Sequence, residues 1–118
     1  MKLLVSVVTL GLFTLGLPLL AAGDVRAGKA VYDSKCKICH AAGGEGNAAL
    51  AKTLKVEFKP LGSKEIQAKS DGEFKKQITE GGGKMKPIKG LTDQQITDVI
   101  AFVRSLAKSQ SPQVPVNS

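Results

Sequence analysis

The sequence predicts an all-α domain of four or five short helices, and three observations carry that prediction. Two capping boxes, Ser70-Asp71-Gly72-Glu73 and Thr92-Asp93-Gln94-Gln95, each precede an apolar pattern of helical period. Glycine clusters at Gly43-Gly44-Glu45-Gly46 and Gly81-Gly82-Gly83 punctuate the chain where such patterns stop. No stretch alternates apolar and polar residues over the length of a strand, and there is no internal repeat.

With 118 residues there is room for one domain. The first 23 residues read as something else. Lys2 gives a positive start, Leu3 to Leu20 is almost continuously apolar, and Ala21-Ala22-Gly23 supplies small residues for a cut. This is the layout of a secretory signal peptide, removed after Ala22 or Gly23. An uncleaved anchor is the rival reading, since a run of 18 residues just spans a bilayer. Pro18 and the small residues at the end of the run favour cleavage. No cysteine lies near the cut, which argues against a lipid anchor. The domain is then residues 24–108, followed by a polar tail over 109–118 with two prolines.

The elements follow in order. Asp24 to Lys35 is the first helix, with Val25, Gly28, Val31 and Tyr32 on one face. Gly28 costs such a helix about 1 kcal/mol against alanine, so it implies a close neighbour. Ala41 to Asn47 is a glycine-rich loop, Ala48 to Lys55 a short helix or an irregular stretch, and Val56 to Gly62 a loop. Ser63 caps a helical turn to Lys69. The first capping box opens a helix with Phe74 and Ile78 on one face, ended by the three glycines. Lys84 to Gly90 is a loop containing Met85 and Pro87. The second box opens the most regular helix, Thr92 to about Lys108, with Ile96, Val99, Ile100, Val103 and Leu106 on one face and Phe102 on its flank.

Between the first helix and the glycine-rich loop lies Cys36-Lys37-Ile38-Cys39-His40. C-x-x-C-H is the attachment signature of c-type haem. Two thiols three positions apart can each form a thioether to one of the two haem vinyl groups, and the next residue can offer a ring nitrogen to the iron. The motif holds both cysteines and the only histidine of the chain. Zinc is excluded, because no fourth ligand of the usual kind remains. A thioredoxin-like redox pair is the rival, but it belongs between a strand and a helix. The domain is also poor in large apolar side chains, with no Trp, one Tyr and three of the four Phe. A core this small calls for a staple, and a covalently held haem is a large apolar one.

In this order the features resemble the class I monohaem cytochromes c of the small bacterial kind. The resemblance rests on a first helix with Gly28 and Tyr32, the Cys36-to-His40 motif, a glycine-rich loop, a loop methionine and a last helix with Phe102, and it covers nearly all of residues 24–108. There are two departures. Lys86 separates Met85 from Pro87 where members often have Met-Pro, and Asn47-Ala48-Ala49-Leu50 has no proline where many members have one.

The resemblance implies an all-α fold of short helices around one covalent haem c. It implies thioethers from Cys36 and Cys39, His40 as the proximal iron ligand and Met85 as the distal one. A backbone carbonyl near Ala48 would accept the other imidazole nitrogen, and Gly28 and Tyr32 would touch Phe102. Leu50, Leu54, Phe58, Leu61, Ile66, Phe74, Ile78, Val99 and Ile100 are candidates for the haem pocket, each equally a candidate for ordinary core. Thioether ligation raises the reduction potential and fills the coordination sphere.

The implied function is one-electron transfer in the periplasm or another exported compartment, by a carrier rather than an enzyme. The alternatives are a haem-bearing subunit of a larger periplasmic oxidoreductase, or an open-site haem sensor or peroxidase. Donor and acceptor redox proteins are the expected partners, and a membrane is met only through membrane-bound ones. Net charge is +7, or +6 once Lys2 is removed with the leader. Lys35 and Lys37 flank the motif, and Lys84, Lys86 and Lys89 flank Met85, which suits partners with acidic docking surfaces as well as plain solubility. Nucleic acid is excluded as a partner, because no aromatics interleave the basic residues.

Overall fold

The computed structural model describes residues 22–109. The expected leader lies outside them except for Ala22 and Gly23, and so does the expected tail beyond Ser109. Six helices follow one another among the described residues: α1 Val25–Lys35, α2 Lys37–His40, α3 Ala48–Leu54, α4 Lys64–Gln67, α5 Asp71–Glu80 and α6 Asp93–Ser109. The expected count of four or five is exceeded because α2, a single turn, is made by the haem motif itself. The only pairing of extended backbone among the described residues is an isolated antiparallel bridge between Gly82 and Met85.

The helix starts are set by side chains that accept otherwise unpaired N–H groups. Asp24 accepts from Arg26 and Ala27 at 2.8 and 3.0 Å. Asn47 accepts from Leu50, and Ser63 from Ile66. Both capping boxes form in full. Ser70 Oγ accepts the Glu73 N–H and Glu73 Oε2 accepts the Ser70 N–H. Thr92 and Gln95 make the same exchange. Where the sequence left residues 48–55 open between helix and irregular chain, Asn47 settles the matter as a cap.

α1 packs against α6, and this pair forms the centre of the core. Tyr32 and Val99 are fully buried, joined by Ile96, Ile100, Phe102, Val103 and Leu106 from α6 and by Phe74 and Ile78 from α5. Burying each such side chain contributes about 1.5–3 kcal/mol. The contact expected of Gly28 and Tyr32 is present: the Tyr32 and Phe102 rings lie 4.8 Å apart, tilted by 53°. A Cβ on Gly28 would lie 1.9 Å from the Asp98 carbonyl oxygen and 3.0 Å from Phe102 Cβ. The glycine is what lets α6 approach.

Two polar devices tie the shell to α6. Arg104 donates to the carbonyls of Gln67 and Lys69 at 2.7 Å and to Asp71 at 2.8 Å, with its guanidinium 4.6 Å from the centre of the Phe74 ring. It thereby joins α4 and the start of α5 to α6. At the other end Asp98 is buried, and its Oδ1 accepts the Asp24 N–H and the Gln94 amide, each at 2.9 Å.

Candidate haem-binding site

α1 ends at Lys35 and the chain turns at once into α2, so the α1–α6 pair fixes where the motif starts. The Cys36 carbonyl accepts the N–H groups of Cys39 and His40 at 3.2 and 3.0 Å. Residues three and four apart share a helix face. Both thiols and the imidazole therefore project from one side of a single turn. No disulfide joins the cysteines, and both are half-buried. Burial, with Cys39 nearby, pushes the Cys36 thiol up to about 11. The motif follows helix α1 where a thioredoxin-like pair would follow a strand.

The imidazole of His40 packs its edge against Phe58, with 5.8 Å between ring centres. Burial lowers its pKa, which keeps the ring neutral, the form that coordinates a metal. Its Nδ1 is buried and has no hydrogen-bond partner among the described residues. The carbonyl expected near Ala48 does not reach it; α3 starts at Ala48 and directs its carbonyls along its own axis. A half-buried, neutral imidazole with an under-satisfied nitrogen, beside two thiols, fits a metalloporphyrin in its donor set and polarity.

The nine pocket candidates divide. Phe74, Ile78, Val99 and Ile100 are buried in the α1–α5–α6 core, and Leu61 and Ile66 pack against it half-buried. Leu50, Leu54 and Phe58 are half-buried and stand outside that cluster. Phe58 touches the imidazole. The protein's own core leaves these three partly uncovered, and an apolar group bound at the motif would have Phe58 beside it.

Met85 is held by a tight turn. It exchanges backbone hydrogen bonds with Gly82 at 2.9 and 3.0 Å. Gly81 and Gly83 adopt positive φ of 71° and 57°, and a Cβ on Gly81 would lie 2.5 Å from the Met85 carbonyl oxygen. Ile88 N–H reaches back to the Ile78 carbonyl at 2.8 Å, pinning the loop to α5. The thioether is half-buried, and its sulfur accepts a hydrogen bond from the Gln77 amide at 3.6 Å. Gln77 was missed by sequence reasoning. Eight residues of chain separate it from Met85, and only the return of the loop onto α5 brings them together. Lys35, Lys37, Lys84, Lys86 and Lys89 are all exposed.

Comparison with known proteins is consistent with this geometry. The family model described as cytochrome c matches residues 25–107. The chain is 36% identical over 100 residues to cytochrome c6 of Synechocystis sp. strain PCC 6803, covering 83% of this chain and 78% of that protein. It is 37% identical over 87 residues to cytochrome c6 of Leptolyngbya boryana, covering 72% and 95% respectively. Among solved structures, the KustC0563 c-type cytochrome superposes with a TM-score of 0.58 at 30% identity, covering 67% of this chain and 95% of that one.

Proposed function

The chain belongs to the cytochrome c family and carries one covalent haem c, and from that premise we propose that it is an exported one-electron carrier with His/Met-ligated iron. Cys36 and Cys39 hold the haem through thioethers, His40 is the proximal ligand and Met85 the distal one. The haem supplies an iron that cycles between Fe(III) and Fe(II). Two observations support the reading: a half-buried His40 whose buried Nδ1 lacks a partner among the described residues, and a Met85 whose backbone is held between Gly81, Gly82 and α5. The domain has no second histidine or methionine. With both axial positions filled by protein, no position is left for a substrate, which suits transfer of electrons and opposes catalysis.

The remaining residues serve that transfer. Leu50, Leu54 and Phe58 exclude water from the histidine side, and Gln77 donates to the Met85 sulfur and tempers it as a donor. The exposed lysines beside the motif and beside Met85 steer acidic redox partners to these two segments. Residues 1–23 direct the chain to export, and their removal frees the domain to meet soluble or membrane-bound partners.

Met85→Ala tests the ligand assignment. It should yield a protein that keeps its haem, loses the long-wavelength band of sulfur-ligated ferric iron, and binds CO when reduced. A wild-type protein that itself binds CO and lacks that band would favour an open-site sensor or peroxidase. The lysine assignment predicts transfer rates to an acidic partner that fall steeply from low to physiological salt. A flat salt profile would remove it.

A further inference from the structure

The helix turn that carries His40 ends in an unusual way. The next residue, Ala41, has φ 62° and ψ 172°. That is a region glycine enters freely and a residue with a Cβ enters only under strain. Such a conformation persists only if the surroundings over-determine it. Here the surroundings are specific. The Tyr32 hydroxyl donates to the Ala41 carbonyl at 2.5 Å, and the Gly44 N–H reaches the same carbonyl at 3.3 Å. Gly46 N–H donates to the His40 carbonyl at 2.8 Å and Asn47 N–H to the Cys39 carbonyl at 2.9 Å. The Asn47 side chain donates to the Ile38 carbonyl at 3.2 Å. All of these except the first come from the loop just downstream. Tyr32 is the one donor among them that stands on α1.

Tyr32 is suited to that part. It is fully buried, its ring is fixed against Phe102, and Gly28 one turn earlier seats α1 on α6. Burial raises its pKa, so the hydroxyl stays a proton donor throughout the working pH range. A phenylalanine would fill the same space against Phe102, so packing alone does not call for the hydroxyl.

We propose that Tyr32 is a positioning residue for His40: its hydroxyl holds the strained Ala41 peptide and so fixes the direction of the axial imidazole from the α1–α6 core. The inference rests on the reading of His40 as an iron ligand. A side chain on α1 would thereby set the orientation of a ligand on α2.

The test uses the full haem-bearing protein and three variants: Tyr32→Phe, Ala41→Gly and the two combined. The readouts are the haem-methyl proton shifts of the oxidised form, which report the plane of the axial imidazole, and amide exchange at Gly46. Tyr32→Phe should displace the methyl shifts and speed Gly46 exchange about tenfold, the effect of losing one buried hydrogen bond. Ala41→Gly should leave the shifts in place, because glycine holds this turn without help, and should raise Tm. The double variant should regain the wild-type shifts. Unchanged shifts in Tyr32→Phe would overturn the proposal, as would a double variant that behaves like Tyr32→Phe. Should Tyr32→Phe not accumulate, the Ala41→Gly protein still decides: a lower Tm or displaced shifts would refute it. Failure of the underlying ligand reading would show separately, as a wild-type protein whose spectrum lacks histidine-ligated low-spin iron.

Discussion

Gly28→Ala sets two effects against each other with opposite signs. Alanine favours an isolated helix over glycine by about 1 kcal/mol, so α1 considered alone would gain. In the folded protein the new methyl carbon would sit 1.9 Å from the Asp98 carbonyl oxygen and 2.5 Å from its carbon. Real Cβ contacts do not fall below 3.0 Å, so the two helices must part by at least 3.0 − 1.9 = 1.1 Å. The obstacle is backbone, which has no rotamer with which to yield. The same displacement separates the Tyr32 and Phe102 rings and stretches the bond from Asp24 N–H to Asp98. Overpacking costs about 1–3 kcal/mol, and the lost hydrogen bond about 1 kcal/mol more. After the propensity gain the net loss is about 1–3 kcal/mol, which for a domain of this size lowers Tm by roughly 5–20 °C. Thermal unfolding of the oxidised haem protein, followed by far-UV circular dichroism, measures it. A Tm at or above that of wild type would refute the close α1–α6 approach on which the site's placement depends.

Three further outcomes follow from the geometry. Gln77→Leu removes a donor to the Met85 sulfur worth about 0.5–1 kcal/mol, so the midpoint potential should fall on the order of 20–45 mV in protein-film voltammetry; an unchanged potential would show that this contact does not persist on the ligand. Asp98→Ala strands the Asp24 N–H and should cost about 1–3 kcal/mol in urea unfolding, with the denaturant slope unchanged; a loss below about 0.5 kcal/mol would show that the bond is replaced by water. The Ser70 N–H holds the Glu73 carboxyl below its ordinary value. The folded pKa is the lower one, so the capping box stabilises fully above the ordinary Glu range and loses that contribution as pH falls through the folded value. Wild type minus Glu73→Gln stability, measured against pH, should shrink on that side only, and a constant difference would contradict the assignment.

What was legible in the sequence was what is local or strictly periodic. The apolar face of α6 came through residue by residue, from Ile96 to Leu106, because a helix writes its buried face at a fixed interval. The two capping boxes came through because both partners lie within four residues. The haem motif was legible because its chemistry demands a fixed spacing. Contacts made by return of the chain were not. Gln77 meets Met85 only because the loop folds back on α5, and Asp98 meets Asp24 across 74 residues. Ala41 carries no mark of its backbone conformation, since nothing in an alanine asks for positive φ. The pocket candidates failed to sort for the same reason. Leu50 and Val99 look alike as apolar residues, and only the packing of α1 on α6 decides which is core and which stays outside it.

The absorption spectrum of the purified haem protein, oxidised and then reduced, tests the central claim most directly. The account predicts sharp reduced bands of low-spin haem whose vinyl groups have been consumed by Cys36 and Cys39, with the long-wavelength sulfur band of Met85 ligation in the oxidised form. A colourless product from a host competent in cytochrome maturation, its two thiols open to alkylation, would contradict it.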